Sequence, residues 1–450
     1  MEPIGRKDFG EDFHWGVSVS AYQIEGGWNS DGKGPSIWDA FVRKPGKVYH
    51  RETGDIACDF YHRYLEDIRL LKDLHIPCFR FSFSWPRLIP RGRGETNPKG
   101  VDFYHQVIDA CLAMGIEPWV TLYHWDLPLA LEEAYGGWTN RQILDDFLRY
   151  VEFCAQEYGK KVKYWMVMNE PLAFTALGYL LGIHAPGKRG FKNFMPAVHH
   201  VALAQAEGIR LLKQALPKGV VGTTFSTSPT FPYRERNLND LAAARRYDAV
   251  LNRLFVEPLL GRGYPVDALP SLKEVFQRYA QKGDEERLIA RPDFLGIQNY
   301  TREVIKHHGL VPWIKGRPIP PKRRKVPHQA MGWEVYPESL FLALRQFAQY
   351  DPTLPLIVTE NGYAAEGETT HDPERIAYLS QAIKQVHKAQ QAGVLVKGYF
   401  VWTFMDNFEW AEGYRPQFGI VYVERRTLER KPKESAYWYR DFLAGKVTIE

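Results

Sequence analysis

Residues 13–27 read FHWGVSVSAYQIEGG. The stretch opens on a short run of apolar and β-branched residues, 13–18, that predicts a strand. The residues after that run decide between two α/β architectures. An open doubly wound sheet would carry a glycine-rich phosphate loop, G-x-G-x-x-G, after its first strand. Here SAYQIEGG stands in that place and lacks the spacing. Outward from this point, short apolar runs alternate with longer amphipathic stretches. Strands are predicted at residues 13–18, 78–83, 117–123, 164–168, 220–225, 294–298, 356–359 and 396–402, and helices at 60–74, 101–114, 140–158, 196–215, 238–251, 337–350 and 373–391. Ile108, Leu112 and Ile116 have the spacing of a buried stripe, and Gly115 is the expected helix stop. Alternating strands and helices imply parallel pairing, because parallel neighbours need a crossover connection. Eight such strands with no phosphate loop predict an α/β fold of the (β/α)8 TIM-barrel type. No linker interrupts residues 1–450, so a single domain is expected.

The chain is 45% hydrophobic and 25% charged, which suits a large globular core. Its 58 basic and 53 acidic residues leave a net charge of only +5, so no nucleic-acid partner is called for. The run Lys322, Arg323, Arg324 and Lys325 is read as part of a solvated surface loop spanning residues 309–325. The four cysteines form no C-x-x-C pair, which argues against a disulfide framework or a metal site and for reduced thiols. Residues 1–10 are charged and carry no apolar signal core, and no run approaches the roughly 18 apolar residues of a membrane span. A cytoplasmic protein without a membrane partner is expected. Aromatic residues make up 14% of the chain, with 13 Trp among them. They are either core filler or a surface for stacking on sugars.

Two predicted strands end alike. Residues 164–168 run into Asn169, Glu170 and Pro171, and residues 356–359 run into Glu360, Asn361 and Gly362. One such acid alone is as readily a helix cap as a catalyst. A pair on the carboxyl-end face of a barrel is different, since paired carboxyls across a cleft are the machinery of glycosidic bond cleavage.

The segments YWMVMNEP around Glu170, IVTENG around Glu360 and the amino-terminal FHWGVSVSAYQIEGG resemble the signatures of family 1 glycoside hydrolases, the β-glucosidase family. The resemblance continues through RFSFSWPRL, TLYHWDLP, FLGIQNYT and VWTFMDNFEW, in order along nearly the whole chain. It implies a single-domain (β/α)8 retaining β-glycosidase with Glu170 as acid/base and Glu360 as nucleophile. Arg80 and Tyr300 resemble the residues that contact the nucleophile. Retention requires the two carboxyls about 5 to 5.5 Å apart, and their mutual repulsion should keep one protonated and the other ionised.

By the same resemblance, Gln23, His124, Asn169 and Glu409 bind the sugar, with Trp402 and Trp410 against its ring and edge and Trp125 in the same cluster. His124 on its own would more often be a core histidine, but its HWD context after an apolar strand favours the ligand role. Glu409 is read as a carboxylate that accepts from neutral hydroxyls and repels phosphate, so unphosphorylated sugars are expected. Glu170 stands where myrosinase-like relatives carry Gln, which implies an ordinary O-glycosidase. Gln298 departs from the family's usual Asn, leaving its contribution to the pocket open. Trp333 resembles the platform under the leaving group, with a plain core tryptophan as the alternative.

These features together imply a β-glucosidase with tolerance for β-galactosides and β-fucosides. It would act on short oligosaccharides or aryl β-glycosides, as in cellulose degradation, without metal or organic cofactor. A non-catalytic receptor-like relative would have lost one or both of Glu170 and Glu360. A transglycosidase would share the intermediate and differ only in acceptor. A homo-oligomer is compatible with the sequence.

Overall fold

The computed structural model describes residues 3–450 and every side chain among them except those of Val275 and Phe276. Met1 and Glu2 of the charged amino-terminal stretch lie outside the described residues. Eight strands form a closed barrel: β1 (His14–Ser18), β2 (Cys78–Ser82), β3 (Glu117–Tyr123), β4 (Tyr164–Asn169), β5 (Val220–Ser226), β6 (Phe294–Gln298), β7 (Leu356–Asn361) and β8 (Val396–Trp402). Each pairs in parallel with its neighbours in chain order, and β1 closes the ring against β8. The α/β barrel expected from the alternation is therefore the observed fold. Strands β3, β6 and β8 have the expected bounds, and the other five differ from the expectation at one end by one or two residues. The difference matters at β4 and β7, which extend to include Asn169 and Glu360.

Outside the ring run the helices α1 (Phe60–Asp73), α2 (Pro98–Ala113), α3 (Ile143–Tyr158), α4 (Phe191–Ala215), α5 (Leu238–Asp248), α6 (Glu338–Ala348), α7 (Pro373–Gln391) and α8 (Glu434–Leu443). Proline opens α2 and α7, where its missing N–H would have had no intrahelical partner. In α3, Phe147, Tyr150, Val151, Cys154 and Tyr158 are buried at the spacing of one helical face. Gly115 sits beyond the end of α2 with a left-handed φ of 72°, as a helix stop requires. Leu112, expected on the buried stripe of α2, is 42% exposed. Ile116 is buried, but it lies past the helix, so the three residues never formed one face. Pro196, expected to start a helix, lies inside α4, which begins at Phe191.

Inside the barrel, large rings face small residues. Trp119 stacks on Tyr164 with centroids 4.0 Å apart and contacts Phe400 at 4.9 Å and Phe294 at 5.7 Å. Gly16 and Gly222 make the room: a Cβ would stand 2.6 Å from the Phe400 ring in the first case and from the Phe294 ring in the second. Gly222→Ala is accordingly expected to destabilise the protein by about 1–3 kcal/mol through overpacking, read as a lower thermal midpoint. An unchanged midpoint would mean the barrel interior accommodates the methyl group freely.

Two smaller sheets decorate the carboxyl-end face. One joins Thr230–Pro232, Glu303–His307 and Gly316–Pro318; the other pairs Val421–Val423 with Arg430–Pro432. Residues 309–325, expected as a plain surface loop, thus contain a strand and a helical turn, Pro321–Arg324. Arg324 is bound to Glu334 at 2.6 Å, while Lys322, Arg323 and Lys325 are exposed. Among the described residues, no helix is long and apolar enough to cross a membrane.

Candidate active site

The carboxyl ends of the strands open into a cavity of about 780 Å³ whose walls include His124, Trp125, Asn169, Glu170, Tyr300, Trp333, Glu360, Trp402, Glu409 and Trp410. Residues far apart in sequence meet here because a barrel gathers its strand ends on one face. Three of them, Trp125, Glu170 and Trp410, hold left-handed backbone with φ of 75°, 47° and 53°. For side chains of this size that conformation is strained, and strain of this kind concentrates at functional sites. At Glu170, the following Pro171 disfavours the right-handed helical region, and the Glu170 N–H donates to the Thr224 carbonyl at 3.1 Å.

Glu360 is held by three donors. Its Oε1 accepts from Arg80 Nη1 at 2.5 Å and from Gln298 Nε2 at 2.9 Å, and its Oε2 accepts from the Tyr300 hydroxyl at 2.8 Å. Glu170 has no comparable set. Burial raises its carboxyl well above the usual range, the negative charge of Glu360 adds to that, and only Ser226 and Arg80 oppose it. Burial raises Glu360 as well, but the Arg80 charge, the Arg80 hydrogen bond and the Tyr300 hydroxyl all pull it back. When the pair shares one proton, Glu170 holds it.

Asn169 links both halves of the site. Its Oδ1 accepts from Arg80 Nη2 at 2.6 Å, Gln298 Nε2 at 2.7 Å and Thr224 Oγ1 at 3.0 Å. With that oxygen occupied, its Nδ2 donates to His124 Nε2 at 3.0 Å and keeps a second N–H. Burial, and then the Arg80 charge, lower the His124 imidazole well below its ordinary value, so the ring is neutral. Gln23 and Gln298 are fully buried and do not line the cavity. Gln298 grips Glu360 and Asn169 from behind. The Gln23 Nε2 donates to Asn407 Oδ1 and the Phe408 carbonyl, both at 3.0 Å, and to Glu409 Oε2 at 3.3 Å. Both amides therefore position lining residues in this structure. Arg80 likewise stands behind the wall.

Glu409 differs from the sequence expectation in charge. Burial, with Glu360 next, pushes its carboxyl up to about 8 against Gln23 and Trp402. It therefore keeps its proton over much of the neutral range and can donate as well as accept.

The aromatic side of the pocket is continuous. Trp410 lies 4.7 Å from Trp125 and 6.0 Å from His124, and His124 lies 6.0 Å from Trp402. Trp125 Nε1 donates to the Asn169 carbonyl at 3.0 Å. Across the cavity, half-buried Trp333 packs 5.2 Å from Tyr300. The four tryptophans expected beside the two acids do line one cavity with them. The sequence did not single out Thr224, although alternation along β5 places Gly222, Thr224 and Ser226 on one face. Nor did it reveal the apolar outer wall from the helical residues 171–180, Leu181 and residues 311–314.

The model of the family described as "Glycosyl hydrolase family 1" matches residues 5–447. The chain belongs to glycosyl hydrolase family 1. Its relatives in the family include the "Beta-glucosidase A" of Thermotoga maritima, 41% identical over 441 residues and covering 96% of this chain and 97% of that protein. The "1,4-beta-D-glucan glucohydrolase" of Thermotoga neapolitana is 40% identical, covering 97% of this chain and 98% of its own. Among solved structures, this family 1 hydrolase is similar to the family 1 β-glucosidase from Thermotoga maritima, with a TM-score of 0.91 and 39% identity over 97% of this chain and 98% of the other. The AHE enzyme from Alicyclobacillus herbarius superposes with a TM-score of 0.93 at 37% identity, covering 99% of each chain.

Proposed function

We propose that this family 1 hydrolase is a retaining β-glucosidase that removes terminal non-reducing β-D-glucosyl residues, with tolerance for β-galactosides and β-fucosides. The observation that carries the proposal is the unequal treatment of the two acids: Glu360 has Arg80, Gln298 and Tyr300 on its oxygens, and Glu170 has burial and the charge of Glu360. An ionised Glu360 attacks the anomeric carbon and forms a glycosyl ester as the exocyclic C–O bond breaks. Glu170 gives its proton to the departing oxygen. Formation of the ester removes the Glu360 charge, which lowers the Glu170 pKa. Glu170 then takes a proton from water, whose oxygen bonds the anomeric carbon while the ester C–O bond breaks. The spare N–H of Asn169 suits the sugar 2-hydroxyl, where a hydrogen bond strengthens as positive charge develops at the anomeric carbon. His124, Glu409, Trp402 and Trp410 hold the sugar directly, and Gln23 acts through Glu409. Trp333 and Trp125 supply apolar faces.

The two carboxyls complete the reaction without a metal or organic cofactor. The whole chain acts as one catalytic domain on short oligosaccharides or aryl β-glycosides, cellulose-derived glucosides among them. Four free, buried cysteines favour a reducing, cytoplasmic setting. The test is a panel of nitrophenyl glycosides followed by NMR of the first-formed sugar. The β-glucoside is expected to give the highest kcat/KM and β-glucose as first product; α-glucose first, or preference for a phosphorylated glycoside, would overturn the proposal.

A pH experiment probes the hold on Glu360. The Tyr300 hydroxyl stabilises the ionised form of Glu360, so Tyr300→Phe raises the Glu360 pKa. Because the first step needs Glu360 ionised, the acidic limb of the kcat/KM profile should move to higher pH. A limb that stays put or moves lower would remove Tyr300 from this role.

A further inference from the structure

The outer half of the cavity is apolar, with Phe194, Leu177, Leu251, Val311, Trp313 and Ile314 in its walls. Charged side chains interrupt it, among them Arg317, Glu412 and Glu303. Glu303 opens the strand Glu303–His307, is half-buried, and lines the same cavity. Its backbone N–H is satisfied by the Pro229 carbonyl at 2.9 Å. Among the described residues, its side chain has neither a hydrogen bond nor an ion pair. Arg324, whose charge reaches it, is already committed to Glu334. Burial pushes the Glu303 carboxyl up to about 7, with Glu334 adding to the rise and Arg324 only partly offsetting it. The Tyr247 hydroxyl on the same wall is itself raised by burial and then by the Glu303 charge.

Once a ligand covers the half-buried carboxyl, an acceptor left without a donor is costly, and a ligand that brings one removes the cost. The half of the cavity beyond the acids is where a leaving group must sit. We propose that Glu303 is a specificity-determining residue for the leaving group, accepting a hydrogen bond from a hydroxyl carried on an otherwise apolar, aromatic aglycone. The assignment rests on the β-glucosidase proposal above. It makes hydroxylated aryl glucosides better substrates than matched aglycones whose hydroxyl is capped. A methyl ether cannot donate and still desolvates the carboxylate, so above about pH 7, where Glu303 is ionised, the discrimination is about tenfold or more.

The test compares a stilbene mono-β-glucoside bearing a free hydroxyl on its distal ring with the corresponding methyl ether. It measures kcat/KM for each with the native enzyme, Glu303→Leu and Glu303→Gln. The native enzyme is expected to prefer the free hydroxyl. The ratio should fall about tenfold in Glu303→Leu, mostly through KM, and be partly retained in Glu303→Gln, which keeps an acceptor oxygen. An unchanged ratio in Glu303→Leu, including the case where both substrates slow together as a purely structural role would dictate, overturns the assignment. Nitrophenyl β-glucoside serves as the control: if the native enzyme fails on it, the β-glucosidase proposal has failed, and this one with it. If it succeeds while the stilbene ratio stays constant, only the role of Glu303 is lost.

Discussion

Glu360→Ala is expected to lower kcat on every glycoside by about 10⁴-fold or more, because the group that bonds the anomeric carbon is gone and water cannot take its place from that face. Azide should restore turnover of an activated β-glucoside and yield the α-glycosyl azide. The small anion enters where the carboxylate stood, on the face opposite the leaving group, so a single displacement inverts the centre. The loss should depend little on the leaving group's pKa, since the proton donor Glu170 is still in place. Arg80 and Tyr300 would remain in place and leave a cationic slot for the anion. A β-azide, or a loss of less than tenfold, would move the nucleophile elsewhere.

Glu170→Ala has a different signature. A general acid is worth about 10² to 10⁴ in rate, and most where the leaving oxygen is basic. Glucosides with poor leaving groups should lose that full factor in kcat/KM, while a dinitrophenyl glucoside, which needs no proton, should form its glycosyl ester almost normally. Hydrolysis of the ester then lacks its base and becomes rate-limiting, so KM falls along with kcat. Azide needs no deprotonation. It should accelerate turnover and give the β-azide, because it attacks the ester from the face that Glu170 occupied. The chromogenic assay together with product NMR reads both effects. Equal losses across leaving groups would remove Glu170 from proton transfer.

The two experiments are complementary because the structure treats the acids unequally. Glu360 is the next-to-last residue of β7 and collects donors from β2, β6 and the segment after β6. Glu170 follows β4 in a left-handed turn, with its carboxyl raised by burial and by the charge opposite.

The eight strands were legible because buried parallel strands are short apolar runs that punctuate amphipathic helices, and the missing phosphate loop removed the open-sheet alternative. The acids were legible for a related reason: each comes directly after such a run. Other features depend on three-dimensional neighbours that no local pattern encodes. Leu112 fits the periodicity of α2 and still faces solvent, because the spacing was completed by Ile116 beyond the helix end. Pro196 looks like a helix start, yet the chain had already turned helical at Phe191. Glu409 resembles an ordinary carboxylate in sequence; burial near Glu360 is what keeps it protonated. The strand Gly316–Pro318 is too brief to show alternation, so the apolar outer wall and the surroundings of Glu303 emerge only once the sheet is assembled.

Incubation with a 2-deoxy-2-fluoro-β-glucoside carrying a good leaving group, followed by peptic digestion and mass spectrometry, tests the division of labour most directly. The fluorine slows both steps and the good leaving group rescues the first, so the ester accumulates. One fluoroglucosyl unit per chain, attached to the peptide containing Glu360 and to that side chain, is the expected result. Label on Glu170 or any other residue, or complete turnover through an inverting reaction with no label at all, would contradict the account.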